Sequence, residues 1–493
     1  MSDQEPAWRP LVGHISPASN ATAAGAEDVP TEQMLYEVRR KIYPRSVTGA
    51  FARWRVWLVL ATQAIFYGLP WFQWNGRQAV LFDLAARKFY LFGLVLWPQD
   101  VIYLAVLLVL SALGLFLFTA VAGRLFCGYA CPQTVYTEIF MWIERHIEGD
   151  RFARIRLDGE RWSPRKLRLK AAKHSAWVLI ALWTGFTFVG FFTPIRDLGM
   201  QTWTLSLGPW QTFWMLFYAF ATWGNAGFMR EQVCRYMCPY ARFQSVMVDH
   251  DTYVVTYDTQ RGEPRGSRSR NTDFEAQGLG ACVDCSICVQ VCPTGIDIRQ
   301  GLQYECIGCG ACIDACDQVM DKMRYPRGLI RYTSERAMRD RLNPKETRRH
   351  LLRPRVLIYS GIMTVLVVGF ITALMMRQPL KVDVIRDRGA LAREVDGGKI
   401  ENVYRLQLMN ASEQPMRVTI TAEGMPELDV QGGRGESTTL ELPPAANRLL
   451  PVRVRRPADD AAPGSHKIRF VIHADDGSGS LVLREPSSFI VPR

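Results

Sequence analysis

The sequence predicts a multi-domain membrane protein: five transmembrane α-helices, a cysteine-rich α+β module between the fourth and fifth, and an all-β sandwich at the C-terminus. Three observations predict it. They are five charge-free apolar stretches, a tandem run of cysteines, and a period-two pattern confined to the chain beyond Arg377.

The apolar stretches run from Val56 to Trp74, Val101 to Ala122, Ser175 to Phe192, Trp203 to Trp223 and Val356 to Met376. Each is long enough to cross roughly 30 Å of hydrocarbon as a helix rising about 1.5 Å per residue. A buried helix of a soluble core seldom stays uncharged for that length. Residues Met1 to Gly49 are polar and contain no early apolar run, so the expectation is a retained, disordered tail rather than a cleavable signal peptide. Basic residues set the orientation. They crowd the tail (Arg39, Arg40, Lys41, Arg45, Arg53, Arg55) and the connection from Arg145 to Lys173, whereas the connections after the first and third stretches carry few. The expected organisation is a cytoplasmic tail (1–55), a four-helix membrane domain (56–249), a cytoplasmic cysteine-rich module (250–355), a fifth helix (356–376) and a periplasmic domain (377–493), in a bacterial inner membrane. The formal charge of +12 is then a topology signal and an attraction to anionic lipid. No nucleic-acid motif accompanies it.

All 12 cysteines lie between Cys127 and Cys316, so no disulfide framework is expected and the thiols sit where a reducing compartment keeps them usable. The runs Cys282-x2-Cys285-x2-Cys288-x3-Cys292-Pro293 and Cys306-x2-Cys309-x2-Cys312-x3-Cys316 have the doubled spacing of bacterial ferredoxins with two 4Fe-4S clusters. Three thiolates in a short loop grip one cube, and the fourth comes from the other run. Cluster one would take Cys282, Cys285, Cys288 and Cys316; cluster two would take Cys306, Cys309, Cys312 and Cys292. Zinc is the alternative metal, but it takes four ligands per ion and rarely uses two such triplets in tandem. Gly308, Gly310 and Ala311 allow backbone amides to approach cluster sulfur. Asp317 stands where the repeat usually has proline, which predicts more polar surroundings for cluster one.

A second signal is the pair Cys127-Gly-Tyr-Ala-Cys131-Pro132 and Cys234-Arg-Tyr-Met-Cys238-Pro239, each just after an even-numbered apolar stretch. Residues four apart on one helix have β-carbons about 5–6 Å apart, so each pair is expected to present two sulfurs on one face, with the proline ending the helix. Together the four thiols make a candidate catalytic site for copper or another redox centre. Plain helix packing by small buried cysteines is the competing reading. Met215, Met229, Met237 and Met247 read as apolar filler, and His174 and His250 as an edge and a loop residue. No nucleotide-binding glycine motif or P-loop is present, so electrons are expected from an unidentified donor.

Beyond Arg377, alternating segments (Val403 to Met409, Met416 to Ala422, Ser437 to Leu442, Arg448 to Val454, Lys467 to His473, Ser480 to Arg484, Ser488 to Val491) are separated by Gly432-Gly433, Pro443-Pro444 and Asp476-Gly477. Such spacing predicts an immunoglobulin-like sandwich with a binding or docking role.

The strings FCGYACPQTVYTE from Phe126, CRYMCPYARFQSVM from Cys234 and CVDCSICVQVCPTGIDIRQGLQYECIGCGACIDACD from Cys282 resemble the cytochrome c oxidase accessory proteins called CcoG, FixG or RdxA. The resemblance extends from about Tyr36 to the C-terminal domain. It implies a cupric reductase that supplies Cu(I) for assembly of cbb3-type cytochrome oxidase, beside a copper-exporting ATPase. Two other classes stay open: a quinol-linked membrane ferredoxin subunit, and a non-catalytic assembly scaffold.

Overall fold

A computed structural model describes residues 41–270, 273, 276–387, 392–395, 397–432, 438–458, 462–475 and 479–492. The tail before residue 41 and the Asp476-Gly477 turn lie outside them. The chain forms two compact units, one of residues 1–62, 113–182 and 219–360, the other of 63–112, 183–218 and 361–493.

Among the described residues, two helices are long and apolar enough to cross a membrane, Pro98–Ala122 and Pro354–Met375. Helices also occupy the other three expected stretches, with different bounds. Ala50–Gly68 starts early and stops before a 3-10 turn at Leu69–Trp71, where Pro70 removes a backbone donor. Pro164–Val189 extends the third stretch backwards through its basic approach. The fourth begins only at Pro209, runs to Thr222 and widens into a π-helical turn at Trp223–Met229.

In the first unit, segment 41–49 is packed rather than disordered. Lys41 Nζ and Tyr43 Oη each donate to Asp158 Oδ2 at 2.6 Å, and Arg45 N donates to Gln290 O at 2.8 Å. The cysteine-rich module is α+β, as expected. Val254–Tyr257 pairs antiparallel with Ile330–Thr333, and the helices Ile287–Gln290 and Ala311–Met323 pack under this ribbon through Ile313, Met320 and Leu329.

The second unit contains the sandwich. One sheet runs Asp429–Gly432, Asn447–Pro457, Lys399–Asn410, Leu380–Arg386, with Arg393–Val395 also on Lys399–Asn410; the other runs Thr439–Leu442, Met416–Glu423, Gly464–Asp475, Ser480–Val491. Alternate residues such as Tyr404, Leu406, Val418, Ile420 and Phe470 fill the core between them. Asn402 joins the sheets by exchanging two hydrogen bonds with the backbone of Ile490, at 2.9 and 3.0 Å. The two expected segments at Ser480 to Arg484 and Ser488 to Val491 are one strand. Pro486 does not break it, because the strand lies at the sheet edge. Short strands at Val80–Asp83, Lys88–Leu91 and Leu94–Leu96 form a sheet the sequence pattern did not reveal, and its Val95 and Trp97 pack on Met409 and Ala411.

Candidate metal centres

The two cysteine runs build two neighbouring cavities. Cys282, Cys285, Cys288 and Cys316 line one; Cys292, Cys306, Cys309 and Cys312, with Cys288, line the other. The first has three thiols from one run and one from the other; the second has three from its own run and two, Cys288 and Cys292, from the other. The backbone explains how a short loop turns its thiols inward. Residues on either side of the middle cysteine take left-handed conformations: Asp284 and Ser286 in the first loop (φ 51° and 53°), Gly308 and Gly310 in the second (φ 67° and 71°). At Gly310 the requirement is also steric, since the Phe51 ring comes within 2.6 Å of where a β-carbon would stand.

The donor set fits iron-sulfur clusters. Burial pushes the Cys306 and Cys316 thiols up to about 12 and Cys288 up to about 11. Cluster ligands must be thiolates, so loading these sites releases protons. The charged surroundings of the cavities differ. Arg299 lines the first and is held by Asp297 at 2.7 Å and by Asp284, while Asp317 accepts from Gly328 N at 2.9 Å beside Cys316. Nothing in the sequence marked Arg299, whose carboxylate partners are spread over two loops.

The paired cysteines do not sit on one helical face as expected. Cys127 lies in a short helix, Leu125–Tyr129, while Cys131 has extended backbone (φ −63°, ψ 127°) and caps the next helix, Pro132–Glu148. Cys234 lies in the π-helical turn Val233–Met237, and Cys238 (φ −80°, ψ 112°) caps Pro239–Met247. The proline begins a helix in both cases, its fixed φ and missing donor being tolerated at the first helical position. The break still brings the pairs together. Gln244, fully buried on the helix after Cys238, donates to Cys127 Sγ at 3.3 Å, and Arg124 donates to Ala241 O at 2.8 Å. Burial pushes Cys127 up to about 11 and Cys234 up to about 12, and neighbouring thiols of both pairs add to the rise. Burial also raises Cys131. Among the described residues, at these pairs and in the ferredoxin loops alike, no three of His, Cys, Asp or Glu are placed to hold a single metal ion.

The first pair packs on the second ferredoxin loop. Cys127 lies against the cluster of Val291, Ile307 and Cys309, and Tyr129 Oη donates to Cys309 O at 3.1 Å. Arg124 belongs to no recognisable spacing, and Gln244, although inside the string from Cys234, stands at no ligand position there, so neither was singled out by the sequence. The minor candidates sit elsewhere. His250 pairs with Glu335 at 2.9 Å, His174 stacks on Phe228, and Met247 Sδ accepts from Arg355.

Comparison with known proteins agrees with this construction. Residues 229–335 match a 4Fe-4S dicluster domain, residues 104–149 a 4Fe-4S binding domain, and residues 370–492 the IG-like fold at the C-terminus of FixG. Apolar helices, tandem cysteine loops and the β-domain define the chain as a membrane polyferredoxin. It is 40% identical over 490 residues to the nitrogen fixation protein FixG of Rhizobium meliloti, covering 92% of this chain and 91% of that protein. It is also 40% identical over 432 residues to protein RdxA of Cereibacter sphaeroides, covering 85% and 90%. The chain belongs to the FixG family. A crystal structure of a FixG-related protein from Vibrio parahaemolyticus aligns with 23% of this chain and 97% of its own, at 24% identity and a TM-score of 0.20.

Proposed function

We propose that this chain is a membrane-bound cupric reductase, in which Cys127, Cys131, Cys234 and Cys238 receive Cu(II) and release Cu(I). The cysteines of the two ferredoxin loops hold two 4Fe-4S clusters in the cross-over pairing described above, and these supply one-electron transfer. The observation that carries the reading is the juxtaposition of both thiol pairs, tied by Gln244 and Arg124, with the second ferredoxin loop. Soft thiolates favour Cu(I) over Cu(II), which draws one electron to the metal. The Cu(I) product is matched to a copper-exporting ATPase and to factors that assemble a cbb3-type oxidase.

The reading includes five spans with the ferredoxin module in the cytoplasm and the sandwich in the periplasm. Arginine asymmetry supports it, and so does the division of the chain. The chain passes between its two compact units five times, at residues 62–63, 112–113, 182–183, 218–219 and 360–361. Each passage falls inside one of the five apolar stretches.

The test is Cu(II) reduction by anaerobically purified protein that has been reduced with dithionite and then freed of the excess, followed with a Cu(I) chelator. Serine at Cys127 and Cys131, or at Cys234 and Cys238, should abolish the activity and leave the ferredoxin EPR signals unchanged. A variant lacking all four thiols that keeps full activity would rule the proposal out.

A further inference from the structure

In the first unit, a cavity of about 850 Å³ opens between segment 44–49, the start of helix Ala50–Gly68, helix Pro132–Glu148 and the ferredoxin loops. Its wall is apolar along Trp57, Leu60, Met141 and Trp142. Val291 and Pro293, on either side of Cys292, form part of its lining, as does Ala311, which lies between Cys309 and Cys312. Two paired guanidinium groups face it: Arg55 Nη2 lies 3.0 Å from Glu138 Oε1, with both side chains largely buried, and Arg154 lies 3.1 Å from Glu144.

We propose that this cavity binds the head of a membrane quinol and is where electrons enter the protein. The inference rests on the electron-transfer reading above and supplies its missing donor. Cavities of about 300–1,000 Å³ with apolar walls and a few converging polar groups are typical of small-ligand sites. A quinol head is a flat, neutral ring with two hydroxyls. Trp57 and Trp142 offer aromatic walls, Glu138 can accept a hydroxyl proton, and Arg55 beside it can donate to the same oxygen. An anionic lipid would satisfy the exposed Arg45, Arg53 and Arg145 at the rim of the same cavity, but deeper in it Arg55 and Arg154 are already paired with Glu138 and Glu144 and leave its phosphate no unpaired cation. It would also have no use for a wall made by the residues flanking cluster ligands.

Oxidation of one quinol to the quinone breaks two O–H bonds and releases two protons and two electrons. One proton passes to the Glu138 carboxylate and the other to solvent at the open side. The electrons leave singly for the iron-sulfur module and convert two Cu(II) to two Cu(I).

The experiment is photolabelling of the full-length, cluster-loaded protein in nanodiscs with an azido derivative of decylubiquinone, followed by peptide mapping. Label is expected in residues 50–62 and 138–145 and is displaced by unlabelled decylubiquinone. Leu60→Trp, which fills the cavity, should reduce labelling at least tenfold with iron per chain unchanged; Met141→Trp on the other wall gives the same test if the first variant loses iron. Label mapping elsewhere, labelling unaffected by both variants, or displacement by phosphatidylglycerol but not by decylubiquinone overturns the proposal. Labelling needs no copper, so its failure is separable from failure of the cupric reductase reading, which dithionite-driven reduction by the unaltered protein tests alone.

Discussion

Gly128 and Cys309 meet backbone to backbone: a β-carbon on Gly128 would stand 3.0 Å from Cys309 Cα and 2.8 Å from Ile307 O. The residue between Cys127 and Tyr129 is therefore small because the second ferredoxin loop occupies the space. Neither neighbour can move without moving a loop that bears cluster ligands. Overpacking of this kind typically costs about 1–3 kcal/mol. Gly128→Ala should lower the temperature of iron loss and slow Cu(II) reduction several-fold, measured by absorbance melting and chelator assay. Gly224→Ala, where no atom lies within 4 Å of the new carbon, is the control and should change neither.

The cross-over lining of the two cavities predicts coupled loss of iron. Cys285 and Cys309 occupy the middle of the two loops, one in each cavity. Replacing both with serine should remove most of about eight irons per chain. Iron analysis of the anaerobically purified double variant checks this, and an unchanged iron content would contradict the ligand assignment.

The five-span topology proposed above is tested by reporter fusions. Reporter fusions after Gly262 should read cytoplasmic, and fusions after Gly398 periplasmic. Both reading the same side would refute an odd number of spans.

Asp158 makes the packing of segment 41–49 acid-sensitive. Burial alone would raise its pKa, but hydrogen bonds from Lys170, Lys41 and Tyr43 outweigh that and hold the carboxyl well below the usual range. A depressed carboxyl contributes stability that is fully present above its unfolded value of about 3.9 and is lost as pH falls through the folded one. Protection of the amides of residues 41–49, taken relative to the intrinsic exchange rate at each pH, should therefore fall progressively below about pH 5 and keep falling through the acid range. Asp158→Asn should show low protection already at the higher pH. Protection that is constant with pH in the unaltered protein would show that Asp158 is not the tether.

The parts of this fold written as local repetition were legible in the sequence. Cysteine spacing alone paired Cys316 with the first loop and Cys292 with the second, because the geometry of a cube dictates that exchange. Alternation located the sandwich strands, since half-buried sheets demand a period of two. What was not legible depends on contacts between distant segments. The CxxxCP spacing is compatible with one continuous helix, and only the caps at Cys131 and Cys238 show that the chain breaks there. A proline after cysteine reads equally as the end of one helix or the start of the next. Arg124 carries no motif, and Gln244 and Glu138 lie inside the resembling strings without a spacing that assigns them a role; all three acquire roles only through partners such as Ala241, Cys127 and Arg55. Segment 41–49 looked like tail because its composition is polar, yet its polar groups are the ones that bind it.

The left-handed residues of the two ferredoxin loops have a further consequence, for the order in which the protein matures. Glycine reaches that conformation freely, whereas other residues give up about 1–2 kcal/mol each. The second loop, with Gly308 and Gly310, thus takes its cluster-binding shape without that strain; the first, with Asp284 and Ser286, is held there at a cost. Iron delivered during biogenesis should settle first in the glycine loop, which then acts as a seed for its neighbour. Under gentle chelation the sequence runs in reverse, and the first loop empties while the second still gives its EPR signal.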